Sequence, residues 1–267
     1  MHITITGNLG SGKSTICKLL NEKYHFDIYS TGKVQRELAR QMNMTTLELN
    51  QLMCSDKKYD NMIDDATTRI SRENKDKDLI FDSRLAWHFV EHSFKVFVSV
   101  SLEVAAERVM NDRRGEEEKY SSLEEAKKLL AERAATERAR YKDIYNLNYM
   151  DFSNYNLVID STYCKQEKIA EIILREAKEF YGNGNIAETT KMLVSPKRLL
   201  KEKDVSKGDE TRLHSLIAEY RKVPDYIADI ISVTKSEDNY EVLNGKDQAV
   251  AAYLAEVPYV PVEVIAE

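Results

Sequence analysis

The 267-residue chain is poor in the residues that punctuate loop-rich or cross-linked proteins: nine glycines, four prolines, three cysteines and one tryptophan. So little Gly and Pro excludes collagen-like and low-complexity classes. Cys17, Cys54 and Cys164 are odd in number and too far apart for a metal-ligand or redox pair, the usage of a reducing compartment. No stretch approaches the roughly 20 apolar residues of a membrane-spanning helix. The first six residues lack the basic and long apolar regions of a secretory signal. A cytoplasmic protein with no membrane partner is expected. Excess basic charge is missing too: the net charge is −6, with 28 Lys and Arg against 30 Asp and Glu in residues 1–184, and 11 against 15 in residues 185–267. A nucleic-acid partner is therefore not expected.

What is present is ordinary globular material, 42% hydrophobic and 31% charged. Short apolar runs at residues 2–6, 26–29, 78–82, 95–100 and 156–160 show little alternation, as in buried parallel strands. Helical periodicity separates them, most clearly over 15–20, 32–42, 46–53, 58–73, 102–113, 123–145 and 165–181. Strands alternating with helices predict an α/β fold, a doubly wound parallel five-stranded sheet. Gly182-Asn183-Gly184-Asn185 reads as a helix cap and a flexible link. The division expected is a P-loop domain over 1–181, a linker over 182–190 and a small C-terminal α+β domain over 191–267.

Between the first strand and first helix stands Gly7-Asn8-Leu9-Gly10-Ser11-Gly12-Lys13-Ser14. This G-x-x-x-x-G-K-[ST] spacing, in this strand-to-helix context, is that of a nucleoside triphosphate loop. Glycines let the backbone wrap so that several N–H groups converge on phosphate, and the helix start adds its positive dipole. Gly7, Gly10, Ser11, Gly12, Lys13, Ser14 and Thr15 are the expected ATP contacts, with Arg108 as a further one. Lys13 would bridge the β- and γ-phosphates and Ser14 would ligate Mg²⁺.

A guanine-reading N-K-x-D segment is absent, so a GTPase is not expected. Arginines stand at repeated stations: Arg36, Arg84, Arg108, Arg113, Arg114, Arg133, Arg138 and Arg140. Phosphoryl transfer is mainly positioning and charge neutralisation, and arginine forks bind phosphate oxygens bidentately. A phosphate acceptor needs no general base, because a phosphomonoester is largely dianionic at neutral pH. Many arginines and five histidines fit that acceptor better than a hydroxyl.

Four further segments carry a resemblance to archaeal-type cytidylate kinases, a family of nucleoside monophosphate kinases. Ser30-Thr31-Gly32…Arg36 resembles the element that opens the acceptor helix. Asp82-Ser83-Arg84-Leu85-Ala86 resembles the E-G-R-L-A motif, with Asp-Ser in place of Glu-Gly. Glu132-Arg133…Glu137-Arg138-Ala139-Arg140-Tyr141 resembles the run that ends the lid, and Asp151…Tyr155-Asn156-Leu157-Val158-Ile159 the strand entry. The likeness spans about residues 1–181. It implies ATP- and Mg²⁺-dependent phosphorylation of CMP or dCMP. Asp82 would lie near the metal, and Lys13, Arg84, Arg133 and Arg140 would be catalytic. Thr31, Arg36, Arg84 and Arg138 would hold the acceptor. The lid arginines also have a plainer reading, pairing with Glu132 and Glu137 on an exposed helix.

Asp56, Asp60 and Asp64 recur at helical spacing and share one face. A carboxylate there could accept from the cytosine N4 amino group, with Asp60 and Asp64 the readers; a solvated face is the alternative. In the C-terminal part, residues 192–199, 240–252 and 260–264 resemble the ParB/sulfiredoxin-like domain. Gly245-Lys246-Asp247-Gln248 stands where that superfamily has G-H-H-R or G-C-H-R. Asp247 would repel a phosphate, which implies a degenerate binding or regulatory module with a protein or small-molecule ligand. Two alternatives to the monophosphate kinase stay open, a P-loop kinase for a non-nucleotide metabolite and a non-catalytic nucleotide sensor.

Overall fold

The structure is a computed structural model that describes residues 1–44, 48–49, 52–53, 58–111, 120–184, 189–200, 210–236 and 238–265. The elements begin β1 (His2–Gly7), α1 (Lys13–Tyr24), β2 (Asp27–Ser30), α2 (Thr31–Gln41), α3 (Lys58–Glu73), β3 (Leu79–Asp82) and a short α4 (Ala86–Phe89). There follow β4 (Phe94–Ser99), α5 (Leu102–Asn111), α6 (Leu123–Tyr145), β5 (Leu157–Asp160) and α7 (Gln166–Gly182). The last third holds β6 (Lys191–Val194), α8 (Pro196–Leu199), α9 (Glu210–Tyr220), β7 (Ile231–Ser236), β8 (Asn239–Asn244), α10 (Lys246–Leu254) and β9 (Val260–Val264).

All strands join one sheet in the order β2-β3-β1-β4-β5-β6-β9-β7-β8. The first six are parallel to one another. β9 then runs antiparallel to β6 and parallel to β7, which forms a hairpin with β8. The five expected strands are there, in the order 2-3-1-4-5. Residue alternation splits the core between the two faces. Ile3, Ile5, Val96, Val98, Leu157 and Ile159 pack on one face with Ile16 and Leu20 of α1 and Ile169 and Ile173 of α7. Phe97 and Val158 point to the other face, with Trp87, Tyr149 and Tyr155.

The last third was expected to stand apart as a small domain; the structure instead continues the sheet through it. β5, α7 and β6 form one more βαβ unit, with Leu157 paired to Lys191 and Ile159 to Leu193. The Gly182–Asn183 stretch is the turn out of α7 on the way to β6. The reason is hydrophobic: Leu193 and Tyr259 are fully buried among the side chains of β1, α1 and α7. Val194, Val260 and Val262 lie with Phe97 and Val158 on the other face. An open edge at β5 would leave this apolar surface in water.

Candidate active site

Parallel strands of such a sheet deliver their chemistry at their C-terminal ends. β1 ends at Gly7, where a Cβ would sit 2.2 Å from the Val98 carbonyl oxygen, so only glycine fits beside β4. Gly10 is left-handed (φ +73°), and a Cβ there would strike the Ala105 carbonyl at 2.7 Å. The loop is thereby pressed onto the first turn of α5. Ser11 Oγ is buried and makes no hydrogen bond within the protein. The first amides of α1 have no intrahelical acceptor, and Ser14 and Thr15 are exposed there. The sequence-predicted loop residues are thus together and have unspent donors.

Two cations meet at the end of β1. Arg84 Nη1 donates to the Gly7 carbonyl at 2.6 Å, and Lys13 Nζ to the same oxygen at 3.5 Å. Burial, then the nearby Arg84 guanidinium, lowers the Lys13 pKa to about 8, with Asp82 opposing. Asp82 ends β3 and accepts from Ser30 Oγ at 3.2 Å; Thr31 Oγ1 lies 3.5 Å from the Asp82 carbonyl oxygen. Arg36 folds its guanidinium back against Gly32.

Glu137 of α6 organises the other side. Its Oε2 takes Arg84 Nε at 2.9 Å and its Oε1 takes Arg133 Nε at 3.3 Å. Burial works to raise the Glu137 pKa, but Arg84, joined by Arg133 and Lys13, brings the carboxyl below its ordinary value. Burial likewise works to lower the Arg84 pKa, and Glu137, with Tyr149 and Tyr141, reverses the sign. The Arg84 guanidinium also lies 5.9 Å from the centre of the Tyr149 ring. Arg133 pairs with Glu137 one turn along the helix. Arg140 stacks on Tyr141 at 5.1 Å, and Arg138 is exposed on the same helix. Arg113, Arg114, Asp56 and the side chain of Asp60 lie outside the described residues. Asp64 accepts a hydrogen bond from Tyr145 Oη, which ties α3 to the end of α6.

Arg108 sits on the donor side, with Nη1 3.4 Å from the Gly10 carbonyl and Nη2 2.6 Å from that of Ser161. Tyr145 and Tyr149 carry no signal in the sequence, whereas Glu137 is readable there as the i+4 partner of Arg133.

The model of the cytidylate kinase-like family matches residues 2–163. The chain belongs to this family. The cytidylate kinase of Methanococcoides burtonii is 37% identical over 173 residues, 65% of this chain and 94% of that protein. That of Methanosarcina barkeri is 32% identical over 176 residues, again 65% and 94%. Among solved structures, a shikimate kinase from Bacteroides thetaiotaomicron covers 68% of this chain and 98% of its own, with TM-score 0.46 and 13% identity. A likeness of that size carries no weight beside the sheet order. Family membership makes the chain a nucleoside monophosphate kinase, a transferase that uses ATP with Mg²⁺.

The residues present suit both groups. The unpartnered Ser11 hydroxyl and the loop glycines are what a phosphate cradle requires. Among the described residues no three His, Cys, Asp or Glu gather as a metal cage. Mg²⁺ does not need one: it keeps waters and takes one or two protein oxygens plus substrate phosphates. Among the described residues, no helix is long and apolar enough to cross a membrane.

Proposed function

We propose that the chain transfers the γ-phosphoryl group of ATP to CMP or dCMP, giving CDP or dCDP. The observation that carries this is the convergence of Lys13 and Arg84 on the Gly7 carbonyl, one cation from each side of the transfer. The triphosphate lies along residues 7–15, with Lys13 on the β- and γ-phosphates and Arg108 beside the loop. Ser14 and Asp82 would hold Mg²⁺, which would neutralise phosphate charge. Thr31, Arg36, Arg84 and Arg138 grip the acceptor, with Asp60 and Asp64 on the helix that faces its base. Arg84, Arg133 and Arg140 supply positive charge as the phosphoryl group moves. No general base is assigned, because the acceptor phosphate is already anionic. ADP release across a panel of monophosphate acceptors tests the reading.

We read the last third as a ParB/sulfiredoxin-like module that does no chemistry of its own. The left-handed turn at Gly245 (φ 87°) leading from β8 into α10 supports the resemblance. Asp247 in the first turn of α10 disfavours a phosphate there. Nucleotide substrates support a cytoplasmic setting for the kinase.

A further inference from the structure

The last third of the chain touches the donor side at two points. α8 carries Arg198, whose side chain is 9% exposed and pairs with Asp160, itself 1% exposed, at 3.0 Å. The same Nη1 donates to Thr162 Oγ1 at 2.9 Å. Its other nitrogen donates to the Asp238 carboxylate at 3.1 Å, in the turn between β7 and β8. Tyr240 of β8 closes the cluster, with the Arg198 guanidinium 5.3 Å from its ring centre.

Two routes lead on from these contacts to the phosphate loop. Asp160 Oδ1 accepts from the Thr162 amide at 2.6 Å, which shapes the turn after β5. That turn presents the Ser161 carbonyl and hydroxyl to Arg108, at 2.6 and 3.2 Å. Arg108 in turn donates to the Gly10 carbonyl. Asp238 Oδ2 accepts from the Leu102 amide at 2.8 Å. That amide opens α5 and has no acceptor inside the helix, and a carboxylate there is favoured by the helix dipole. One turn further along α5, Ala105 presses against Gly10. Both routes end on one residue of the donor loop.

We propose that Arg198 and Asp238 are positioning residues of the donor-nucleotide site, fixing the 160–162 turn and the start of α5 that together hold Gly10. Both lie beyond residue 163, where the family match ends. The last third therefore completes the ATP site without touching ATP. Burial pushes the Asp160 carboxyl up and Arg198 opposes it, so removing the guanidinium outright leaves a buried charge unpaired. Milder changes are the better probes.

The proposal rests on reading residues 7–14 as the ATP loop. It is tested by calorimetric binding of ATP with Mg²⁺, and separately of CMP, to the full-length wild type, Asp238→Ala and Arg198→Lys. Thermal melting runs alongside. The expected result is a rise in the ATP Kd of about three- to tenfold in each variant, as for one lost charged hydrogen bond. The CMP Kd stays within about twofold, a split that simple loosening of the fold does not give. Unchanged ATP affinity in variants that melt cooperatively overturns the proposal, and so does an equal rise for both ligands. If Arg198→Lys does not fold, Asp238→Ala decides alone, since Asp238 is 44% exposed. A wild type that binds ATP yet phosphorylates no monophosphate defeats the proposed function and leaves this comparison standing. A wild type that binds no ATP overturns both.

Discussion

Lys13 Nζ and Arg84 Nη1 share one acceptor, the carbonyl oxygen of Gly7, at 3.5 and 2.6 Å. Glu137 pairs with Arg84, but a neutral oxygen compensates Lys13 poorly beside that second cation. Lys13 bears the cost, its pKa held at about 8 by burial and by Arg84.

Lysine in the unfolded chain titrates near 10.5, so between about pH 8 and 10.5 the unfolded state binds more protons. Stability of the ligand-free protein should therefore rise across that window, and the penalty is fully present below about pH 8. At pH 7 the burial costs an order of 3 kcal/mol. Lys13→Met should melt higher than wild type at pH 7, by roughly 1–3 kcal/mol, and lose the upward shift in Tm that ATP gives. Melting scans at pH 7 and 9.5, with and without ATP and Mg²⁺, check this. A variant less stable than wild type at pH 7 would contradict it.

Glu137 joins Arg84 and Arg133 through its two oxygens. Its loss strands the buried Arg84, so Glu137→Ala should cost about 3–5 kcal/mol in urea unfolding. The double change Arg84→Met, Glu137→Leu should recover most of that while remaining inactive. Equal stability of Glu137→Ala and wild type would show that the pair is incidental.

Tyr145 and Asp64 are 81 positions apart in sequence, and their hydrogen bond ties α3 to the end of α6. Tyr145→Phe should raise the KM for CMP about three- to tenfold, as for one hydrogen bond lost, while the KM for ATP stays put. Steady-state kinetics with each substrate varied gives the answer. A change confined to ATP would place the bond on the donor side.

The shared core makes a further demand. A chain ending at residue 184 loses Leu193, Val194, Tyr259 and Val260, all fully buried. It also uncovers the β5 edge, an aggregation template. This fragment should fail to melt cooperatively. A fragment with the Tm of the full chain would restore the independent domain expected from sequence.

The phosphate loop was legible because its requirements are local. The spacing of Gly7, Gly10 and Gly12 before Lys13 fixes the turn whatever surrounds it. The strands and most helices were legible for the same reason, since α3 and α6 carry their periodicity in their own residues. The union of β6 with β5 was not, because a glycine-asparagine stretch looks alike in a linker and in a βαβ connection. Only the burial of Leu193 and Tyr259 among the first strands distinguishes them. The pairs Arg84–Glu137, Asp64–Tyr145 and Arg198–Asp160 join residues dozens of positions apart, and no spacing rule reaches that far. Arg133 lies between: its i+4 partner Glu137 could be read, but not that the second oxygen of Glu137 goes to Arg84.

The central claim, a phosphate acceptor carrying cytosine, is met most directly by ADP release with ATP, Mg²⁺ and each of CMP, dCMP, UMP, AMP and GMP. CMP or dCMP should give the highest kcat/KM, with UMP lower by a factor of about ten or more, the worth of one hydrogen bond to the N4 amino group. ADP release no faster with any monophosphate than with water alone would contradict it.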